Sequence, residues 1–141
     1  MGKINWGRVV LGGVLMWVVF NVLWTAAWFL VLRRELIPVM QELNRPFQAT
    51  PEGGAFWLLV MLVGGIFSIW LYAAIRPRYD PGPKTAARAG LAVWLSTVLL
   101  PTLLWGWQLQ LPARFVALDV VAALVAIVVA ALVGAWPYKE E

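Results

Sequence analysis

Apolar residues crowd into four long blocks, separated by short stretches that hold nearly all the charges and prolines. The blocks run from about Val9 to Leu32, Ala55 to Ile75, Ala89 to Trp107 and Phe115 to Trp136. Each is about as long as the ~20 apolar residues needed to cross a hydrocarbon core of about 30 Å. Asp119 is the only formally charged residue inside them. In lipid every backbone polar group must be bonded internally, so the blocks are predicted to be helices. The expectation is an all-α, single-domain, four-transmembrane-helix antiparallel bundle spanning residues 1–141. Lys3 and Arg8 ahead of the first block, with Thr25-Ala26-Ala27 inside it, have the outline of a cleavable leader. The apolar run continues past that site to Arg33-Arg34, so a retained span is expected.

The stretches between the blocks have their own grammar. In the longest, Arg33 to Gly54, Pro38 suits the first turn of a short helix. Val39, Met40, Leu43 and Phe47 then recur at helical spacing opposite Gln41, Glu42 and Arg45, predicting an amphipathic helix in the headgroup plane; a plain polar loop is the alternative. Thr50-Pro51-Glu52 reads as an N-cap followed by proline at the first helical position. Between the second and third blocks, Pro77 is expected to stop the span and Pro81-Gly82-Pro83 to form a turn that cannot be helical.

Charge then orients the bundle. Lys3, Arg8, Arg76, Arg78, Lys84, Arg88 and Lys139 share the side of the two termini, against Arg33, Arg34, Arg45 and Arg114 on the other. The excess places both termini in the cytoplasm. Arg76, Arg78, Lys84 and Arg88 would face anionic headgroups, and no basic run suggests nucleic acid. Trp28, Trp57, Trp105 and Trp107 fall at one interface; Trp6, Trp70, Tyr72, Trp136 and Tyr138 fall at the other, with Trp17, Trp24 and Trp94 deeper.

Composition mainly excludes. The chain is 62% hydrophobic and 13% charged, with neither cysteine nor histidine. That removes disulfides, Cys/His metal sites, the usual haem ligation and cysteine or histidine catalysis. No phosphate loop, nucleophile elbow, paired catalytic carboxylates or metal-spaced acids occur, so no catalytic residue, metal or cofactor is expected.

Three sets of residues remain. Ala122, Ala126, Ala130 and Gly134 recur every fourth position in the last block, a small-residue stripe that lets another backbone approach; Gly64 and Ser68, beside Gly65, offer a shorter version. Asp119 reads as a carboxylate near the outer edge of the core, hydrogen-bonded to Gln108, Gln110 or Arg33, or else as a proton or cation site. Asn21, Ser68, Ser96, Thr97 and Thr102 lie at middle depths, as interhelical glue or as a polar path. Pro101 deprives the Thr97 carbonyl of its helical partner, so Asn21 is predicted to donate to that carbonyl or to bond Ser96, Thr97 or Thr102, with a kink at Pro101; the alternative is that Asn21 bonds its own helix. Placing Arg8 on Arg88 aligns Leu11 with Leu91, Leu15 with Leu95, Val18 with Val98 and Leu23 with Leu103, as in a parallel repeat of two helical hairpins.

The segment Trp70-Leu-Tyr-Ala-Ala-Ile-Arg-Pro-Arg-Tyr-Asp-Pro-Gly-Pro-Lys-Thr-Ala, running on through Ala89 to Trp94, and the start Arg8-Val-Val-Leu-Gly-Gly-Val14, resemble stretches of small bacterial inner-membrane proteins with four spans and no established activity. The likeness covers about a third of the chain. It implies a bacterial inner-membrane location and nothing about chemistry. Where that group is polar late in the first span, this chain has Trp24, Trp28 and Phe29. Two function classes stay open: a non-enzymatic structural or accessory membrane protein, alone or in a homo-oligomer or larger complex, and a small oligomeric transporter or channel with Asp119 and Asn21 in its path.

Overall fold

In a computed structural model, which describes residues 4–42, 44 and 50–139, the chain forms four helices long and apolar enough to cross a membrane. They are α1 (Trp6–Glu42), α2 (Pro51–Tyr79), α3 (Pro83–Gln108) and α4 (Ala113–Ala135), and no strand occurs among the described residues. The chain is an integral, multi-pass membrane protein with an all-α, up-and-down bundle. Its lipid-facing surface is apolar: Val121, Val125, Val129 and Val133 line the exposed face of α4, opposite its buried alanines. In water such a surface would be an aggregation liability; in a bilayer it matches the solvent.

The helix starts follow from local chemistry. The Asn5 side chain caps α1 by accepting from the Arg8 amide at 3.0 Å. Thr50 caps α2 by accepting from the Gly53 amide at 3.1 Å, with Pro51 at the first helical position. Gly82, at φ 141°, turns the chain into Pro83 and α3. At the end of α3, Gln110 adopts φ 50°; its amide donates to the Trp107 carbonyl, and that of Leu111 to the Gly106 carbonyl.

Two expected breaks do not occur. Pro77 lies inside α2, which runs on to Tyr79. It stands two residues from the helix end, where one lost backbone bond is tolerable. Pro38 does not open a separate helix either: α1 continues unbroken through it to Glu42, passing through a wider π turn at Trp28–Leu32. Leu43 and Phe47 of the expected amphipathic helix lie outside the described residues.

The helices pack in a ring: α1 touches α2 and α4, and α3 touches α4 and α2. No Cα of α1 comes within 8 Å of a Cα of α3 among the described residues, so these two occupy the long diagonal. Backbones meet closely where glycines permit. A Cβ on Gly13 would lie 2.6 Å from the Ile66 Cα, and one on Gly65 would lie 2.6 Å from the Gly13 carbonyl oxygen. Gly12 and Gly134 meet in the same way across α1 and α4. Gly64, in contrast, has open space where a Cβ would stand, so Gly65 makes the close approach in α2. Ala126, Ala130 and Gly134 are buried inside the bundle and Ala122 is half-buried.

The two hairpins are built alike, in a register different from the one that Arg8 and Arg88 suggest. The Trp17 indole N–H donates to the Leu58 carbonyl at 2.9 Å, joining α1 to α2; that of Trp94 donates to the Val120 carbonyl at 2.9 Å, joining α3 to α4. Gly13 packs on Ile66, and Gly90 packs on Val128. Each pair occupies the same position, counted from the helix starts, in its hairpin. The repeat therefore sets Gly13 on Gly90, Trp17 on Trp94, Thr25 on Thr102 and Trp28 on Trp105, three residues away from the expected alignment.

Candidate functional site

The end of the bundle that carries the termini is closed. Val9, Ile69, Tyr72, Ala73, Ala86, Ala89, Ala130, Ala135 and Tyr138 are buried there in one cluster. Tyr72 and Tyr138 meet edge to face at 5.8 Å, and the Arg76 guanidinium lies over the Tyr138 ring at 5.5 Å. These tyrosines are core residues, not members of an interfacial belt, because each ring finds aromatic or cationic partners inside the bundle. The Arg8 guanidinium donates to the Pro137 carbonyl at 2.8 Å, tying the start of α1 to the end of α4. Thr85 donates to the Tyr79 and Asp80 carbonyls at 2.9 and 2.7 Å, tying the start of α3 to the end of α2.

Toward the other end the bundle opens on one side. α2 contacts α3 only along Pro83–Trp94; no Cα of residues 95–108 lies within 8 Å of α2. The far half of α2 stays with α1, through the Trp17–Leu58 bond and the stacked rings of Phe20, Trp24 and Trp57 at 5.8 and 6.4 Å. The far half of α3 stays with α4. A cavity of about 480 Å³ lies in the resulting cleft, bounded by Met16, Trp17, Phe20 and Trp24 of α1, seven residues of α2 from Trp57 to Ser68, Val93, Thr97, Val98 and Thr102 of α3, and Asp119, Ala123 and Ile127 of α4.

Its polar groups are few. The Ser68 hydroxyl donates to the Gly64 carbonyl at 2.7 Å and the Thr97 hydroxyl to the Val93 carbonyl at 2.8 Å, each within its own helix. The Trp17 N–H is held by Leu58. Thr102 donates to Asp119 Oδ2 at 3.4 Å, a long bond. Asp119 forms no ion pair among the described residues. Its partner is thus Thr102 rather than Gln108, Gln110 or Arg33: Arg33 lies over the Phe29 ring at 5.9 Å, and the nearby ion pair joins Arg114 to Glu35 at 3.3 Å.

Asn21 stands apart from this set. Its amide donates to the Trp17 carbonyl of its own helix at 2.8 Å, not to Thr97. The expected pairing across α1 and α3 fails because an up-and-down ring puts those helices on the diagonal. Beside Pro101, α3 widens into a π turn at Leu95–Leu99, and the Leu100 amide bonds the Leu95 carbonyl. Ser96 and Thr97 bond carbonyls of the preceding turn. α3 so accommodates its proline by a shift of hydrogen-bond register and local hydroxyl bonds, as membrane helices commonly do.

Among the described residues no group of three metal-capable side chains occurs. Comparison with family models, with curated proteins and with solved structures finds no match.

Proposed function

We propose that the chain is a non-enzymatic accessory protein of the membrane, acting through helix–helix and lipid contacts. The observation that carries this reading is the shape of the cleft. It is a blind recess: Asp119 and Thr102 are its polar groups toward the far end, and behind Met16, Val93 and Ile127 the bundle is closed by the packed cluster around Tyr72 and Tyr138. A route for ions or polar solutes needs polar groups through the full depth of the membrane. Here Asn21 is turned to its own backbone, and Ser68 and Thr97 have donated their hydrogens locally.

In this reading the protein sits in a bacterial inner membrane with both termini cytoplasmic. The exposed Arg78, Lys84 and Arg88 attract anionic headgroups there, while Arg76 is partly engaged over Tyr138. A homo-oligomer or a larger membrane complex is the setting in which such contacts act. A second reading, a small oligomeric transporter or channel, draws on Asp119 lining the cavity without a countercharge. Purified protein in sealed vesicles decides between them. The accessory role predicts proton and cation flux equal to protein-free vesicles. Flux above that background, lost in Asp119→Asn, would overturn it in favour of transport.

A further inference from the structure

The cleft has a chemistry that selects a ligand. It opens sideways, where α2 and the far half of α3 part company, so whatever enters comes from the bilayer. Its walls are aromatic and aliphatic, with Trp24, Trp57 and Phe67 prominent. Its size falls within the roughly 300–1,000 Å³ of pockets that take small ligands. The hydroxyl donors on its lining, and the Trp17 indole, are already committed: Trp17 to Leu58, Ser68 to Gly64, Thr97 to Val93 and Thr102 to Asp119. What remains is acceptor capacity. A carboxylate has about four lone-pair sites, and Asp119 receives a single bond, at 3.4 Å. A recess whose one charged lining residue is an acid with spare acceptor capacity, and which has no lining cation, fits a head that donates and is positively charged, and repels one that is anionic.

From this we propose that the cleft between α2 and α3 binds a membrane lipid with a primary ammonium head, its chain along Trp57 and Phe67 and its head on Asp119. The inference rests on the lipid-contact reading above and gives it a site. An ammonium in this position replaces water with a charge-assisted bond to Asp119 in a medium where the carboxylate has no other full partner. The chain replaces other lipid against aromatic walls, so selectivity comes from the head. On the opposite side, α1 and α4 meet tightly where Gly12 lies on Gly134.

The test uses the full chain in nanodiscs and two photoactivatable probes, hexadecylamine and hexadecanoic acid, each with a diazirine in mid-chain. The amine is expected to label saturably, with crosslinks on the α2 segment holding Trp57 and Phe67, and to be displaced by amino-headed but not by anionic lipids. Asp119→Asn should weaken amine labelling by about tenfold or more, about 1.4 kcal/mol, and should not weaken labelling by the acid, since the variant loses a charge that repels it. Gly64→Leu, placed where a side chain meets open space, should fill the cleft and abolish saturable labelling while leaving helicity intact. Equal labelling by acid and amine, indifference to Asp119→Asn, or crosslinks spread over the Val121–Val133 face would overturn the proposal. So would native mass spectrometry showing a dimer whose formation shields the cleft. Ion flux would defeat the accessory reading independently of how the probes behave.

Discussion

At the scale of single residues, the difference between neighbouring glycines is the sharpest consequence of the fold. A methyl on Gly13 meets the backbone of Ile66, which cannot swing aside as a side-chain tip would. Gly13→Ala is therefore expected to cost about 1–3 kcal/mol through forced separation of α1 and α2. Gly64→Ala meets nothing and should be neutral, or stabilising by up to about 1 kcal/mol from helix propensity. Thermal unfolding in detergent, followed by circular dichroism, reads both; equal losses at the two sites would contradict the packing. The sequence marks Gly64, Gly65 and Ser68 as a small-residue patch but does not say which member faces a neighbour, because rotation of a uniformly apolar helix leaves no pattern to read. Asp119 is legible as the sole acid within a span, since burial of a charge is conspicuous in any context. Its partner Thr102 is not, because mid-depth hydroxyls usually satisfy themselves on their own helix, as Ser96 and Thr97 do.

At the scale of elements, the two hairpins share one interhelical device, an indole N–H donated to a carbonyl in the following helix. Trp17→Phe and Trp94→Phe keep most of the ring area and remove the donor. Each should cost about 0.5–1.5 kcal/mol, and the two losses should be similar and additive, because the sites lie in different hairpins. A loss confined to one variant would break the equivalence. Spans and their number were readable from hydropathy, since lipid imposes one solution on a 20-residue apolar run. The repeat was readable only in outline. Leucine and valine align in almost any register of two membrane helices, whereas the glycines and tryptophans that make contacts fix it. Helix ends were readable where a side chain caps the backbone, as at Thr50, and misleading at Pro38 and Pro77, which the helices absorb. The end of α3 carries a further consequence. Gln110 occupies the left-handed conformation that glycine adopts freely, at a cost of roughly 1–2 kcal/mol for a residue with a Cβ. Gln110→Gly is expected to raise the unfolding midpoint, offset in part by the freer unfolded chain; a lowered midpoint would mean the side chain contributes a contact that outweighs the strain.

At the scale of the molecule, the cleft itself arises from unequal seams. Where α4 presents Gly134 to Gly12 of α1, the matching positions of the other seam hold Tyr72 in α2 and Ala89 in α3, so that seam lacks the glycine pair that lets α1 and α4 approach closely. No local sequence pattern announces this, because it depends on which helices become neighbours. The orientation proposed for the cleft in the membrane rests on charge alone. By sequence order the side of the termini is assigned seven Lys and Arg residues, Lys3, Arg8, Arg76, Arg78, Lys84, Arg88 and Lys139, against Arg33, Arg34, Arg45 and Arg114 opposite. Short cytoplasmic segments commonly carry such an excess, and in the proposed orientation, with both termini cytoplasmic, the open mouth of the cleft faces the outer leaflet. The absence of cysteine makes the test direct, since any thiol introduced is the only one. Gln110→Cys and Pro81→Cys place single thiols at exposed positions of opposite ends. In intact cells a membrane-impermeant maleimide should label the thiol at 110 and leave that at 81 untouched until the membrane is permeabilised. Labelling at 81 alone would invert the protein and turn the cleft to the cytoplasmic leaflet. Labelling at both before permeabilisation would mean that the charge excess does not set a single orientation in this chain.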